Sequence, residues 1–271
     1  MATRLIDWPG GLTVFDVYEP AAEPFAAKGA TVASSPAEVA SRATVISLMV
    51  QDDAQVTEVV TGPDGLLSTA RPGTIIAIHS TVEADTPARI AALAEPHGVL
   101  VVDAPVSGGM MGAHSGDLAF MVGGPDEAVA VLDETLAPMA GLVAHLGPIG
   151  AGTRAKLARN LITFAGFAAV GEALRLAESA GVDVARLGDV VRHSDRITGG
   201  PGAIMLGQAA GPLAADDGLR PIYEHTRTLG EKDLRLALSL GDSLGLDMPV
   251  AAQALDLLAA ALGVPHEPEG T

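Results

Sequence analysis

The sequence contains no cysteine and has little positive charge. Without cysteine, disulfide bonds and thiol chemistry are excluded. The chain has 16 lysines and arginines against 33 acidic residues, and its formal net charge is −17 at pH 7. Nucleic acids and anionic membrane surfaces would be repelled by such a charge. The composition therefore predicts that neither is a partner.

The sequence also shows no evident metal-binding motif, no long apolar run and no evident leader segment. The seven histidines are scattered without a spacing typical of metal ligands, so we expect no metal site. The apolar run 161–171 is shorter than the roughly 20 residues that a helix needs to cross a bilayer. Arg4 and Asp7 interrupt the first apolar residues, which is not typical of a signal peptide. These features predict a soluble cytoplasmic protein.

The pattern of elements changes near residue 148. Before it, short apolar runs alternate with helical patterns, which indicates a parallel sheet covered by helices on both faces. After it the chain reads as helix, starting with about 30 residues from 150 to 181 that contain no proline. We predict an α/β Rossmann-type domain over residues 1–148 and an all-helical domain over 149–271. Alanines and glycines along the long interdomain helix predict that it is buried.

Several polar residues follow predicted strands. The carboxyl ends of parallel strands meet at one edge, so we expect Asp16, Met49, Val50, Ser80 and Thr81 on a single ligand-binding rim. An acid in the position of Asp16 can bind the adenosine ribose hydroxyls of a dinucleotide, although a turn aspartate is the more common interpretation. The rim predicts a ligand site without identifying the ligand.

The segment 107–109 (Ser-Gly-Gly) follows another predicted strand, 99–102. Successive N–H groups there can turn toward one point and bind a carboxylate or phosphate. A mobile glycine turn is the alternative. The residues alone leave both open.

The start of the long helix carries Arg154, Lys156 and Arg159, although helix N-termini favour acids. Only three of the 16 basic residues are lysines, and lysine can lose its proton at a workable pH whereas arginine cannot. Two arginines and a helix N-terminus should lower the pKa of Lys156, as proton transfer requires. Asn160 lies four residues on, on the same face. The alternative is a solvated positive patch.

Residues 150–155 match the dinucleotide-binding pattern G-x-G-x-x-A, between a predicted strand at 143–146 and the long helix. A Rossmann unit needs a second parallel strand after a helix of ordinary length. No such strand is predicted, so we interpret this match as a coincidence of pattern.

Four stretches together resemble the β-hydroxyacid dehydrogenase family, whose best-known members include 3-hydroxyisobutyrate dehydrogenase. They are Asp103-Ala104-Pro105-Val106-Ser107-Gly108-Gly109, the segment 147–160, Ser80-Thr81 and Lys232-Asp233-Leu234. The resemblance covers nearly the whole chain. It implies a nicotinamide-binding N-terminal domain, an all-helical C-terminal domain and a small carboxylate-bearing substrate.

The resemblance also implies roles for individual residues. Lys156 would be the catalytic acid/base, and Asn160 would assist with substrate. The substrate carboxylate would be held by Ser107, Gly108 and Gly109. The cofactor would be lined by Met49, Val50, Thr81 and Lys232; Val50 stands where many members have proline. Asp16 favours NAD over NADP, because an acid repels the 2′-phosphate.

Two rival functions remain open at this point. The chain could keep the fold but act only as a binding or scaffold subunit, or it could be a related reductase acting on another carbonyl or an imine. Lys156 argues against the imine reductases, which usually carry a different residue there. The Ala/Gly-rich helix and the apolar composition predict a homodimer or homotetramer.

The first residues fit the interior of a dinucleotide motif. Residues 1–6 read as the helix after a glycine-rich turn, and the acid-ended strand 12–16 follows in its usual place. We therefore expect the first strand and the turn to be lacking from this chain. Two strand edges would then be unpaired in the middle of the sheet, and NAD would bind poorly.

Overall fold

The computed structural model describes residues 1–206 and 211–266. The chain divides into two compact units, Met1–Asn160 and Leu161–Thr271. The sequence predicts a domain boundary after residue 148, from the change of pattern and from the family resemblance. The division between the compact units lies inside a helix that spans both.

The first unit alternates strands and helices. Its strands are β1 (Thr13–Val14), β2 (Thr31–Val32), β3 (Val45–Leu48), β4 (Ile75–Ile78), β5 (Leu100–Asp103), β6 (Val106–Ser107), β7 (Leu118–Val122) and β8 (Ala140–His145). Its helices are α1 (Glu23–Ala26), α2 (Pro36–Arg42), α3 (Asp53–Thr61), α4 (Thr86–Ala94), α5 (Gly109–Ser115) and α6 (Asp126–Leu136). The helix expected over residues 1–6 is instead a 3-10 turn, Ala2–Leu5, whose Leu5 packs into the core.

The strands form three small sheets. β1 pairs with β2, β3–β4–β5 form a parallel sheet, and β7 pairs in parallel with β8 and antiparallel with β6. A bridge between Asp103 and Gly123 joins the end of β5 to the end of β7. Among the described residues β1 pairs only with β2, and β3 pairs only with β4.

The central strand β4 is buried on both faces. Ile76 and Ile78 pack with residues of α3 and α4, whereas Ile75 and Ala77 pack on the other side with residues of α6. A strand covered on both faces must be apolar at every position, which explains its uninterrupted apolar run. The α/β architecture predicted for this part of the chain is confirmed.

The second unit is helical in its described residues, as predicted. The long helix α7 (Ala151–Ser179) starts in the first unit, and α8 (Val184–Thr198), α9 (Arg220–Ser243) and α10 (Pro249–Ala261) follow. A small apolar cluster forms around Tyr223, Leu262 and Val264. Glu172 of α7 is buried and accepts hydrogen bonds from the N–H groups of Val250 and Ala251, which begin α10.

The prediction that α7 is buried is wrong for the single chain. Large apolar side chains stand exposed along it: Leu161, Ile162, Phe164, Phe167, Val170 and Leu174. The described part of the second unit leaves them uncovered, because its small apolar cluster lies elsewhere. By length and composition alone α7 could cross a membrane, a criterion that core helices of water-soluble proteins also meet. The shortness of the apolar run 161–171 therefore does not decide whether α7 crosses a membrane.

Candidate active site

The carboxyl ends of β3 and β4 form part of one rim, as predicted. Ser80 links them, because its Oγ donates to the Val50 carbonyl oxygen over 2.8 Å and accepts from the Val50 N–H over 2.7 Å. Met49 and Thr81 are exposed beside this pair, and Val50 is half-buried. An exposed thioether, a hydroxyl and backbone groups suit a ligand with apolar faces and sugar hydroxyls, such as a nicotinamide nucleoside.

A buried histidine supports the rim from behind. His79 Nδ1 lies 2.8 Å from the Ala104 carbonyl oxygen and Nε2 lies 3.0 Å from the Ser47 hydroxyl. The carbonyl can only accept, so Nδ1 carries the proton and Nε2 accepts from Ser47. Burial lowers the pKa of His79 to about 4, although the hydrogen bond to Ala104 opposes this shift. A neutral imidazole therefore ties together the ends of β3, β4 and β5.

The segment 107–109 has more regular structure than the sequence indicated. Ser107 ends the short strand β6, and Gly109 begins the short helix α5. Gly108 and Gly109 have φ angles of 126° and 59°, a region that favours glycine. Gly108 and Gly109 are exposed, and Ser107 is half-buried. The glycines thus make a tight corner rather than an irregular loop, and their backbone remains accessible to a ligand.

The sequence places no acid near the start of α7, but the fold brings Asp103 there from a distant part of the chain. Asp103 Oδ1 accepts from the Gly150 N–H and Oδ2 from the Thr153 N–H, each over 2.6 Å. Gly150 directly precedes α7 and Thr153 lies in its first turn, and Asp103 is completely buried. The preference of helix N-termini for acids is therefore satisfied through the fold.

Lys156 lies one turn further along α7 and is half-buried, as is Asn160. Burial lowers the pKa of the Lys156 ammonium from its ordinary value, and the nearby Arg159 guanidinium lowers it further. The predicted direction is confirmed. The sequence had emphasised the neighbouring cations, whereas burial is the larger cause.

The glycine pattern at 150–155 allows close packing. A Cβ at Gly152 would lie 2.1 Å from the Met121 carbonyl oxygen. The described residues after α7 form helices and no strand, as the sequence predicted.

Two other predicted cofactor residues belong to different elements of the chain. Asp16 follows β1 in the two-stranded sheet, is exposed, and accepts the Tyr18 N–H over 2.9 Å, as a turn aspartate does. Lys232 lies in the second unit on α9, where its Nζ is 3.1 Å from Asp233.

Asp103 and His79 are the residues whose importance the sequence reasoning missed. Each stands at the carboxyl end of a buried apolar strand, β5 or β4. A polar residue that continues such a run is costly to bury unless it is hydrogen-bonded, and this could have been the signal.

Comparison with known proteins gives a matching family model for each part of the chain. Residues 1–147 match the NAD-binding domain of 6-phosphogluconate dehydrogenase, and residues 150–210 match the NAD-binding family of NADP-dependent 3-hydroxyisobutyrate dehydrogenase. An uncharacterised oxidoreductase of Mycobacterium tuberculosis is 54% identical over 266 residues, which are 98% of this chain and 90% of the relative.

Two solved structures are similar along almost the whole chain. A Mycobacterium avium protein is 49% identical, with a TM-score of 0.92 over 98% of this chain and 94% of that one. The 3-hydroxyisobutyrate dehydrogenase of M. tuberculosis, solved with L-serine, is 32% identical, with a TM-score of 0.66 over 95% and 87%. The chain therefore belongs to the 3-hydroxyisobutyrate dehydrogenase-like family of β-hydroxyacid dehydrogenases, NAD(P)-dependent oxidoreductases that act on a CH–OH group.

Proposed function

We propose that this protein interconverts a small 3-hydroxy acid and its semialdehyde, with Lys156 as general acid and base. The observation that carries the proposal is the half-buried Lys156 with a lowered pKa, one turn beyond N–H groups held by Asp103. Asp103 is also the first residue of the segment that ends in Ser107, Gly108 and Gly109. The proton-transfer group and the candidate carboxylate site are therefore connected through one side chain.

In the oxidation direction, neutral Lys156 Nζ accepts the proton of the substrate hydroxyl. In reduction, the Lys156 ammonium returns that proton to the carbonyl oxygen. The dinucleotide, when bound, supplies or takes up the hydride. The lowered pKa helps because a proton-transfer group works best when its pKa approaches the working pH.

Other residues orient the reactants. The Ser107 hydroxyl and the N–H groups of Gly108 and Gly109 bind the substrate carboxylate, and the Asn160 amide assists at the reacting end. Met49, Val50, Thr81 and Lys232 line the cofactor. Asp16 binds the adenosine ribose hydroxyls and makes NAD the preferred dinucleotide, with NADP as the alternative.

We further propose a cytoplasmic homodimer or homotetramer. The exposed apolar side chains of α7 support an oligomer, because an apolar surface of this kind is typical of interaction sites. A second copy of the chain would remove these side chains from water.

The test is a scan for NADH formation with a panel of 3-hydroxy acids. L-serine belongs in the panel, because it is a 3-hydroxy acid and occurs in the related M. tuberculosis structure. Size-matched 2-hydroxy acids serve as controls. Turnover confined to 3-hydroxy acids supports the proposal. Dinucleotide binding without turnover of any acid would favour a scaffold subunit. In a parallel assay, NAD(P)H consumption with imines, without turnover of any acid, would favour a related reductase.

A further inference from the structure

Asp103 stands where three elements meet. Its backbone pairs with Gly123 beyond β7, through N–H···O distances of 2.9 and 2.8 Å, while its side chain holds the first turn of α7. Both carboxylate oxygens are thus engaged by the same helix. Hydrogen bonds to a carboxylate are stronger than those between neutral groups, so we expect this contact to resist displacement of the helix start.

The surrounding packing leaves no room for the helix to shift. A Cβ at Gly123 would lie 2.6 Å from Asp103 Oδ1 and 2.8 Å from the Gly152 nitrogen. A Cβ at Gly152 would lie 2.8 Å from the Asp103 carbonyl oxygen. The glycines let the helix start reach the carboxylate. The anion that a G-x-G turn can bind at a helix N-terminus is here the chain's own Asp103.

Asp103 is connected to both halves of the proposed substrate site. The backbone leads to the segment 107–109, and the side-chain hydrogen bonds lead to the start of α7. Four residues further along the chain is Ser107, at the start of the carboxylate-binding segment. Lys156 is three residues beyond Thr153, whose N–H Asp103 holds. We infer that Asp103 is a positioning residue that fixes the distance between Lys156 and the segment 107–109. This inference rests on the proposed role of Lys156.

The direct test is Asp103→Asn. The amide has nearly the same shape, but its NH₂ group cannot accept, so one of the two hydrogen bonds to α7 is lost. We expect kcat with the hydroxy acid to fall roughly 10- to 100-fold, since a small misplacement of a catalytic group has effects of this size. The Kd for the dinucleotide should stay within about twofold, because the rim at β3 and β4 is untouched. Asp133→Asn, at an exposed acid on α6, is the matched control.

A second measurement separates positioning from a purely structural role. Asp103→Asn should have little further effect on the residual rate of Lys156→Ala, because residues that act as a unit are not additive. Hydrogen exchange should become faster at the amides of Gly150 and Thr153 but not in β3, β4 and β5. If Asp103→Asn does not fold, Gly123→Ala keeps the carboxylate but crowds it, and should show the same loss of kcat at unchanged dinucleotide affinity.

The inference is overturned by a folded Asp103→Asn protein with wild-type kcat. It is also overturned if this substitution slows Lys156→Ala by the same factor as wild type. Failure of the proposed function would look different, because Lys156→Ala alone would then keep near-normal turnover.

Discussion

Residues at the candidate site are supported by buried polar side chains, whose hydrogen-bond partners lie far away in the sequence. His79 is the clearest example, with a neutral imidazole held between Ala104 and Ser47. Its pKa of about 4 in the folded protein lies below its ordinary value of 6.5. Folding therefore favours the neutral form. The resulting stability is fully present above pH 6.5 and is lost as the pH falls toward 4.

This linkage predicts a specific acid sensitivity. Urea unfolding at several pH values should show wild type losing on the order of 3 kcal/mol between about pH 7 and pH 4 through His79 alone. His79→Gln, which can keep both hydrogen bonds without titrating, should lose less over this range. His97→Gln, at an exposed histidine, is the control and should follow wild type. An unchanged pH dependence in His79→Gln would contradict the account.

Asp16 gives a second prediction at this scale. Its carboxylate is exposed, and a negative charge there should disfavour the 2′-phosphate of NADP. We expect kcat/KM to favour NAD by roughly fivefold or more, since two charges about 4 Å apart in water interact by about 1 kcal/mol. Asp16→Asn retains an acceptor for the Tyr18 N–H and should reduce this preference, whereas Asp7→Asn should not. A preference of the wild type for NADP would refute the assignment.

Some of these residues could be predicted from sequence and others could not. Lys156 was identifiable because it is one of only three lysines among the 16 basic residues and lies at a helix start. The role of Asp103 was not, because its partners Gly150 and Thr153 lie 47 and 50 residues away. Sequence spacing gives local neighbours on a helix, but it does not give contacts across a fold.

Helices and strands could be predicted from sequence where their residue pattern extends over many positions. The course of α7 could be predicted to within two residues at either end, since no proline interrupts it and glycines flank it. β6 and α5 were missed, because two and seven residues carry too little periodicity to be recognised. The extent of β1 was overestimated, since a two-residue strand is set by pairing rather than by propensity.

Two helices, α7 and α10, are capped at their starts by acids from other elements. Glu172 does for α10 what Asp103 does for α7, with Oε1 2.8 Å from the Val250 nitrogen and Oε2 2.9 Å from the Ala251 nitrogen. Its side chain is buried, so these hydrogen bonds are shielded from water. The contact therefore couples α7 to α10 within the second unit.

Glu172→Gln should destabilise this unit. The amide loses the charge and one acceptor, and the cost of a lost hydrogen bond to a buried group is roughly 1–3 kcal/mol. Urea unfolding followed by far-UV circular dichroism measures the change. Glu178→Gln, at an exposed acid on the same helix, should unfold like wild type. Equal stability of the two variants would show that the cap contributes nothing.

The whole molecule presents an apolar surface that a single chain does not cover. The sequence predicted burial of α7 from its small residues, but composition cannot say whether the covering surface belongs to the same chain. In the described residues Phe164 and Phe167 are more than half exposed, and their rings contact each other edge to face at 5.8 Å. The α/β and helical halves were predictable from alternation. The exposure of the apolar side chains of α7 was not, because composition does not say which surface packs against a helix.

We predict that the protein is a homodimer or larger in solution. Light scattering at micromolar concentration should give at least twice the mass of the chain. Phe167→Glu should shift the distribution toward monomer, because a charge would then have to be buried at the interface. Leu93→Glu replaces an exposed leucine on α4 and should leave the mass unchanged. A stable wild-type monomer would overturn the prediction.

In the proposed reaction Lys156 transfers the proton while the dinucleotide transfers the hydride. The most direct measurement compares NADH formation by wild type, Lys156→Ala and Lys156→Arg with the best 3-hydroxy acid of the panel, together with the Kd for NAD of each form. The account predicts that both variants lose most of kcat, since arginine remains charged and cannot act as a base, while NAD binding changes little. Near-normal turnover in either variant would contradict it.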